Sequence, residues 1–217
     1  MDGKELVSGA AYDVYMDIKK RTNGEIYFGV VGPVRTGKST FIKRFMELCV
    51  LPSMKDDNKR KRAQDELPQS SGGTTVMTVE PKFIPSEAAL ISPFEGINMK
   101  VRLVDCVGFM VEGANGHLDN GKERMVKTPW DTKEIAFSKA AEIGTKKVIN
   151  DHSTIGIVVT TDGSFTEIDR TNYVAAEKKT INELKKINKP FVVILNSDKP
   201  YACLLYTSPS PRDQRGS

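Results

Sequence analysis

The chain is poor in the residues that build disulfide frameworks and common metal sites. Its 217 residues include three cysteines, Cys49, Cys106 and Cys203, and two histidines, His117 and His152. The cysteines are widely spaced and never form a C-x-x-C pair, so neither a disulfide framework nor a structural zinc site is expected. No E-x-x-H or H-x-x-x-H pattern accompanies the histidines. Because Cys49 and Cys106 lie in apolar contexts, we expect both to be core residues of a protein kept in a reducing cytoplasm.

Long apolar runs are also missing. No stretch of 18 apolar residues occurs, so no segment is predicted to span a membrane. Asp2, Lys4 and Glu5 interrupt the N-terminus, which does not resemble a secretory signal. The net charge of +4 is mild and does not require a nucleic-acid partner, and no basic face rich in aromatic residues is found. No Ser/His/Asp or Cys/His hydrolase signature occurs either. The chain is therefore expected to be a globular domain without nucleic acid, with contact to a membrane surface at most.

What the chain does contain is a glycine-rich loop between an apolar run at 26–31 and a helical pattern. Residues 32–39 read G-x-x-x-x-G-K-S, and the strand–loop–helix context is that of a phosphate-binding loop. In such a loop, backbone N–H groups surround a phosphate and the helix N-terminus adds partial positive charge. Lys38 is predicted to reach the β- and γ-phosphates, and Ser39 to hold Mg²⁺. The nucleotide-contacting residues predicted in this region are Gly32, Arg35, Thr36, Gly37, Lys38, Ser39 and Thr40.

Strand-like and helix-like patterns alternate along the rest of the chain. This alternation predicts an α/β fold with a mostly parallel sheet flanked by helices on both faces. Together with the phosphate-binding loop, it predicts a P-loop NTPase. The strands at 76–83 and 99–105 are predicted to pair antiparallel. Strands are predicted at about 25–31, 76–83, 99–105, 155–160 and 191–195, and helices at about 38–50, 133–150 and 170–187.

Two long segments carry no regular pattern. Residues 53–73 are polar and include the basic run 59–62, which we interpret as a solvated mobile loop in preference to a nuclear signal or an anion-binding patch. Residues 106–132 form a long glycine-containing stretch that is predicted to be irregular. Both lie where nucleotide switches place their mobile segments. In the helix at 38–50, the residues predicted to face the sheet are Phe41, Ile42, Phe45, Leu48 and Cys49.

The two ends of the chain differ from the domain at 25–201. Residues 1–24 are predicted to contain a short amphipathic helix. A lid packed on the domain is favoured over a partner-binding or membrane-surface helix, because few basic residues lie on its polar side. The composition changes after Tyr201, and residues 202–217 resemble translated vector sequence more than a natural disordered tail.

Candidate catalytic residues follow from the predicted strand ends. Asp105 ends an apolar strand and is the predicted second Mg²⁺ partner. It begins the sequence D-x-x-G, in which the N–H group of Gly108 would contact a γ-phosphate. Thr74 and Thr75 lie where a switch threonine closes over Mg²⁺ and the γ-phosphate, and the sequence does not rank one above the other.

Two departures from GTPase patterns bear on the choice of nucleotide. Phe109 stands where many GTPases have a glutamine that orients water, so slow turnover is expected. The last strand ends at Asn196, a predicted nucleotide contact, but Asp198 is not in the position that N-K-x-D would require. The double hydrogen bond to the guanine edge is therefore missing or displaced, which favours ATP over GTP.

Four blocks of the sequence resemble the stage IV sporulation protein A family. They are residues 29–46, 73–83, 103–108 and 160–165, and the resemblance covers about residues 12–201. It implies a GTPase-like fold that hydrolyses ATP with Mg²⁺, with Lys38 in the Walker A loop, Asp105 in the Walker B strand, and Thr74 and Thr75 as sensor threonines. In this family, later domains anchor the protein to a membrane and form polymer contacts, so the present domain is expected to be truncated relative to the family.

The resemblance also implies a biological role. It implies self-association into a polymer that forms the basal layer of the spore coat, in the mother-cell cytoplasm at the outer forespore membrane. The implied partners are further copies of the protein, a small amphipathic membrane-bound peptide and other coat proteins. A regulatory GTPase switch and a scaffold that binds nucleotide only for stability remain alternatives at this stage.

Overall fold

A computed structural model describes residues 24–68, 79–94, 97–119 and 121–200. Several predictions fall outside these residues: the N-terminal helix apart from Gly24, both candidate sensor threonines, Cys203, and the tail at 202–217. Residues 69–78 are likewise outside the description, and with them the first part of the predicted strand at 76–83.

The described residues form a mixed α/β domain around one central sheet. The strand order is β2-β3-β1-β8-β9, in which β1, β3, β8 and β9 run parallel and β2 pairs antiparallel with β3. The strands of this sheet are β1 (Glu25–Val31), β2 (Lys82–Phe94), β3 (Ile97–Asp105), β8 (Ile155–Thr161) and β9 (Phe191–Asn196). The predicted mostly parallel sheet is confirmed. The antiparallel partner of β3 is also present, but it shares only Lys82 and Phe83 with the strand predicted at 76–83, and residues 79–81 lie outside any strand.

The helices and short strands of the domain are placed around this sheet. The helices are α1 (Lys38–Phe45), which continues as a π-helical turn (Met46–Val50) and a 3₁₀ turn (Leu51–Ser53), then α2 (Asp57–Asp65), α3 (Phe137–Asn150) and α4 (Arg170–Lys186). Two hairpins lie between β3 and α3: β4 (Leu118–Asp119) with β5 (Lys122–Glu123), and β6 (Met125–Thr128) with β7 (Asp131–Ala136).

The core occupies both faces of the sheet because successive strand residues point to opposite sides. Val30 packs in the cluster that contains α1, whereas its neighbour Val31 packs in the cluster that contains α3 and α4. Ile42 belongs to the first cluster, and Tyr173 to the second. Helices therefore cover both faces, as the alternating sequence pattern predicts.

The prediction that Leu48 and Cys49 face the sheet is wrong. Leu48 is 73% exposed, and Cys49 is exposed as well. The reason is the π-helical turn, whose i→i+5 hydrogen bonds widen the helix and change which residues face inward. Met46 and Val50 are fully buried in their place, on the i+4 stripe that begins at Ile42.

The predicted mobile loop at 53–73 contains helix α2. Asp56 caps this helix by accepting hydrogen bonds from the N–H groups of Asn58 and Lys59. The basic run at 59–62 is exposed, as a solvated segment should be, but it belongs to a helix. Lys59 also forms an ion pair of 3.4 Å with Glu87 on β2. The cap and these surface charges, which periodicity does not detect, explain why the helix was missed.

Three predicted boundaries also change. Strand β2 continues through Pro85 and Pro93. Both are tolerated because β2 lies at the edge of the sheet. Its register also shifts around each proline, between Ile84 and Ala89 and between Ile91 and Phe94. The stretch at 106–132 contains both short hairpins, so it is not wholly irregular. Helix α3 begins at Phe137 and not near 133, because residues 131–136 pair with β6.

The π-helical turn yields a test of the packing. Replacing Met46 by Ala is expected to lower the free energy of unfolding by about 2–5 kcal/mol, because it removes a fully buried side chain. Leu48→Ala is the matched control on the same segment and should change that free energy by less than about 0.5 kcal/mol. Urea unfolding followed by circular dichroism measures both. A larger loss for Leu48→Ala than for Met46→Ala would contradict the observed helix face.

Candidate functional site

The parallel strands bring their carboxyl ends to one edge of the sheet. In the register, Val30 lies beside Asp105, and Val31 lies beside Val158. Thr161 lies beside Asn196 in the next pair of strands. The loops that leave these strands therefore meet, and the loop from Gly32 to Ser39, called the glycine loop below, lies between them. This edge is where ligands bind in open α/β sheets.

Both glycines of the glycine loop are required by its geometry. Gly32 has a φ of 137°, and a Cβ atom there would lie 2.3 Å from the carbonyl oxygen of Val159. Gly37 has a φ of 88°, and a Cβ atom there would lie 2.4 Å from Nδ2 of Asn196. Any side chain at either position would clash and strain the backbone. The loop can therefore take this path only with glycine at both positions.

Helix α1 begins at Lys38, directly after the glycine loop. Gly37 occupies the N-cap position and has no side chain that could accept hydrogen bonds from the first turn. No acidic residue lies in that turn. The free N–H groups and the helix dipole therefore leave a positive end at the loop, which suits an anion such as a phosphate.

Lys38 is the buried cation of this site. Its side chain folds back over the loop, and Nζ donates a hydrogen bond of 2.5 Å to the carbonyl oxygen of Pro33. Only 5% of the residue is exposed, and this burial lowers the pKa of Lys38 below its usual value. A bound anion would compensate the buried charge, so the surroundings of Lys38 fit a phosphate group.

The segment after β3 lies directly against the glycine loop. A Cβ atom at Gly108 would lie 2.3 Å from the carbonyl oxygen of Gly32 and 2.6 Å from Nζ of Lys38. The N–H group of Phe109 donates a hydrogen bond of 3.1 Å to the carbonyl oxygen of Gly32. The N–H group of Val34 donates a hydrogen bond of 2.9 Å to the carbonyl oxygen of Phe109. The D-x-x-G glycine predicted from the sequence is therefore beside the predicted phosphate-binding lysine.

Asp105 and Ser39 form the oxygen-rich part of the site. Ser39 donates a hydrogen bond of 3.1 Å from Oγ to Oδ2 of Asp105. Oδ1 of Asp105 is buried and has no hydrogen-bond partner among the described residues. Burial raises the pKa of Asp105, and the Lys38 charge and the Ser39 hydrogen bond oppose that shift.

These oxygens fit a Mg²⁺ ion. Carboxylate and hydroxyl oxygens are the ligands that Mg²⁺ prefers, and Mg²⁺ usually takes few protein ligands and completes its shell with water and phosphate oxygens. Among the described residues, no group of three or more His, Cys, Asp or Glu side chains could hold a metal ion. Ser39 and Asp105 could hold such an ion together with a bound phosphate, and the third predicted ligand, Thr75, lies outside the described residues.

Asn196 at the end of β9 contacts the glycine loop from the other side. Its Nδ2 atom donates a hydrogen bond of 3.2 Å to the carbonyl oxygen of Thr36. Thr36 is fully buried, and its hydroxyl donates to the carbonyl oxygen of Pro33 at 3.0 Å. Of the other predicted contacts, Arg35 is half-buried with a φ of 64°, and Thr40 is exposed on α1.

Phe109 does not point at the site. The residue is only 3% exposed and packs in the core cluster between the sheet and helices α3 and α4. Nζ of Lys179 on α4 lies 4.9 Å from its ring centroid. Position 109 therefore has no hydrogen-bonding side chain that could orient water, as the phenylalanine in the sequence indicates.

Cys106 is buried as predicted, and burial raises the pKa of its thiol to about 11.

Sequence reasoning missed one group of polar residues at this edge. Asp162, in the loop after β8, accepts hydrogen bonds from both Ser164 and Ser197. The available signal was the sequence Asp162-Gly163-Ser164, since an aspartate two residues before a serine N–H forms a local turn. The bond to Ser197 depends on the neighbouring strand and has no signal in the sequence.

In the part of the chain that the structure describes, no helix combines the length and the apolar character needed to cross a bilayer.

Known proteins were compared with the chain as a whole. Three curated relatives named stage IV sporulation protein A are 58% identical over 188 residues in Clostridioides difficile (strain 630), 57% over 189 residues in Bacillus anthracis and 55% over 189 residues in Bacillus subtilis (strain 168). Each alignment covers 87% of this chain but only 38% of the relative. The chain therefore spans well under half the length of these relatives.

A family model gives the same result. The model described as stage IV sporulation protein A, ATPase domain, matches residues 10–206. This match includes the glycine loop, Asp105, Gly108 and Asn196. The chain belongs to the stage IV sporulation protein A family and carries the ATPase domain of that family.

Proposed function

We propose that this chain is a P-loop domain of GTPase-like type that binds ATP with Mg²⁺ and hydrolyses it to ADP and phosphate. The observation that carries the proposal is the meeting of Lys38, Ser39, Asp105 and Gly108 around one glycine loop. A chance glycine loop would not place a buried ammonium beside a D-x-x-G glycine and a carboxylate with an unpaired oxygen. The family's ATPase domain supports the assignment of ATP.

In the proposed mechanism, this chain contributes mainly positioning and charge. The N–H groups of the glycine loop and of the first turn of α1 hold the phosphates, and Lys38 leaves Pro33 to donate to the β- and γ-phosphate oxygens. Mg²⁺ supplies neutralisation of charge on the phosphates. Ser39 and Asp105 would hold that ion, and the N–H group of Gly108 would donate to the γ-phosphate. Thr74 or Thr75 is proposed to close over the site.

Turnover is expected to be slow. Phe109 is buried away from the site, so this residue cannot orient the attacking water. Two backbone hydrogen bonds also hold Phe109 against the glycine loop: its N–H group donates to Gly32, and its carbonyl oxygen accepts from Val34. Loss of the γ-phosphate would remove a partner of Gly108 and Lys38 and release the loops around the site, which is the step that we propose drives a conformational change.

The choice of adenine over guanine rests on the end of β9. Guanine recognition needs a carboxylate that accepts two hydrogen bonds from the base edge. Lys199 stands three residues after Asn196, and an ammonium can only donate. Its neighbour Asp198 is exposed and one position away from the N-K-x-D carboxylate.

We further propose that the whole protein uses this domain to self-assemble. In this proposal it forms the basal layer of the spore coat in the mother cell, at the outer forespore membrane. A small amphipathic membrane-bound peptide and other coat proteins would be its partners. The support is the family membership and the sporulation role that the relatives' name states.

Competition between nucleotides tests the choice of base. With Mg²⁺ present, unlabelled ATP is expected to displace a fluorescent ATP analogue from the chain at a concentration about tenfold lower than GTP does, a difference of about 1.4 kcal/mol. Fluorescence anisotropy measures both displacement curves. Displacement by GTP at the lower concentration would favour a regulatory GTPase and contradict the proposal.

Two substitutions test the hydrolytic site. Lys38→Ala and Asp105→Asn are each expected to reduce phosphate release from ATP by about 100-fold or more. The first removes a positive charge from the phosphates, and the second weakens the hold on Mg²⁺. Lys43→Ala is the control, since Lys43 lies on the same helix and forms a surface ion pair with Glu47. Release is measured with a phosphate-binding dye. A Lys38→Ala variant that hydrolyses ATP at the normal rate would overturn the site assignment.

Sedimentation tests self-assembly. A full-length relative is expected to pellet at high speed with Mg²⁺ and ATP and to remain in the supernatant without nucleotide, because nucleotide is proposed to drive the change that permits assembly. Alanine at the position equivalent to Lys38 should abolish pelleting with ATP. Equal pelleting with and without ATP, or with the alanine variant, would argue for a scaffold that binds nucleotide only for stability.

A further inference from the structure

The loops that follow β8 and β9 are joined through one carboxylate. Oδ1 of Asp162 accepts hydrogen bonds from the N–H group of Ser164 at 2.9 Å and from its hydroxyl at 2.7 Å. Oδ2 of Asp162 accepts from the hydroxyl of Ser197 at 2.5 Å. The hydroxyl of Ser164 accepts in turn from the N–H group of Asp198 at 2.9 Å. Asp162 therefore fixes its own loop and the loop after β9 at the same time.

The joined loops are continuous with the glycine loop. The N–H group of Asp162 donates to the carbonyl oxygen of Asn196 at 3.3 Å. Nδ2 of Asn196 donates to the carbonyl oxygen of Thr36. Moving the loop after β9 would therefore disturb both Asp162 and the contact between Asn196 and the glycine loop.

The order of the strands indicates which part of a nucleotide lies near these loops. Ser39 and Asp105, which mark the metal and γ-phosphate end, are on the side of β1 that faces β3. Strands β8 and β9 lie on the opposite side of β1. A triphosphate that follows the glycine loop from its γ end thus brings the nucleoside toward the loops after β8 and β9. This step rests on the proposed function.

The carboxylate of Asp162 is engaged mainly with protein groups. Burial alone would raise the pKa of Asp162, but the hydrogen bonds from Ser197 and Ser164 outweigh burial and lower it. The carboxylate is thus charged, and it accepts three hydrogen bonds, two at Oδ1 and one at Oδ2. We therefore expect Asp162 to act on the nucleotide through the residues that it holds.

The backbone that Asp162 holds is the segment Ser197 to Lys199. The hydroxyl of Ser197 donates to Asp162 and accepts from the N–H group of Lys199 at 3.0 Å. With Asp198 held by Ser164, each residue of this segment has a fixed backbone or side-chain partner. We propose that Asp162 is a positioning residue for recognition of the base, which holds residues 197–199 beside the glycine loop so that the nucleoside end of ATP binds in one orientation.

The test compares a ligand that has a base with one that lacks it. Asp162→Ala is expected to weaken the binding of Mg²⁺-ATP by about tenfold, since it removes charge-assisted hydrogen bonds that order the base-side loop. Binding of Mg²⁺-tripolyphosphate should change by less than about twofold, because the glycine loop and Lys38 are unchanged. Isothermal titration calorimetry measures both affinities.

Asp169→Ala is the matched control. Asp169 caps α4 and, like Asp162, accepts hydrogen bonds from the backbone and the hydroxyl of a residue two positions later, here Thr171 at 2.8 and 2.5 Å. This control should leave both affinities unchanged. Ser197→Ala removes the hydrogen bond from Ser197 to Asp162 without deleting the carboxylate, so it provides the test if Asp162→Ala does not fold. Ser197→Ala should also weaken the binding of Mg²⁺-ATP more than the binding of Mg²⁺-tripolyphosphate.

The outcomes separate the inference from the proposed function. If the wild-type chain binds neither ATP nor tripolyphosphate, both the proposed function and the positioning role of Asp162 are contradicted. If the wild type binds both ligands but Asp162→Ala lowers the two affinities equally, or lowers neither affinity, the proposed function stands and the positioning role is overturned. Selective loss of ATP affinity, with Asp169→Ala unchanged, supports the positioning role.

Discussion

The buried ammonium of Lys38 is the constraint on which this edge of the domain depends. A charge in such a position is costly unless hydrogen bonds or an opposite charge compensate it. The protein provides the carbonyl oxygen of Pro33 and the nearby carboxylate of Asp105. The close approach of Gly108 is what encloses the ammonium. Substitution of any residue in this group would affect the others.

The site is built from three neighbouring loops, each carried by a strand end of the same sheet. The glycine loop follows β1, the D-x-x-G segment follows β3, and Asn196 ends β9. Direct hydrogen bonds join these segments, from Phe109 to Gly32 and from Asn196 to Thr36. A displacement of the D-x-x-G segment would therefore reach the end of β9 through one backbone bond and one side-chain bond. Such coupling is what a domain needs if nucleotide turnover is to alter its surface.

The departures from a GTPase pattern have structural counterparts. Phe109 replaces a residue that orients water, and the structure uses it for packing beneath Lys179. At the end of β9, hydrogen bonds within the protein occupy Ser197 and the backbone of Asp198. These two changes suit a slow nucleotide cycle with altered base recognition better than a rapid GTPase switch.

The sequence by itself determined the parallel strands of the central sheet, helices α1, α3 and α4 and the residues around Lys38, because apolar alternation and the glycine loop are local signals. Strand β1 was predicted with its observed bounds, and Ser39, Asp105 and Gly108 were placed correctly at one edge. Only the tertiary structure decided the burial of Met46 in place of Leu48, since that depends on a π-helical turn. It also decided the bond between Asp162 and Ser197, because two loops 35 residues apart meet only after β8 and β9 have paired.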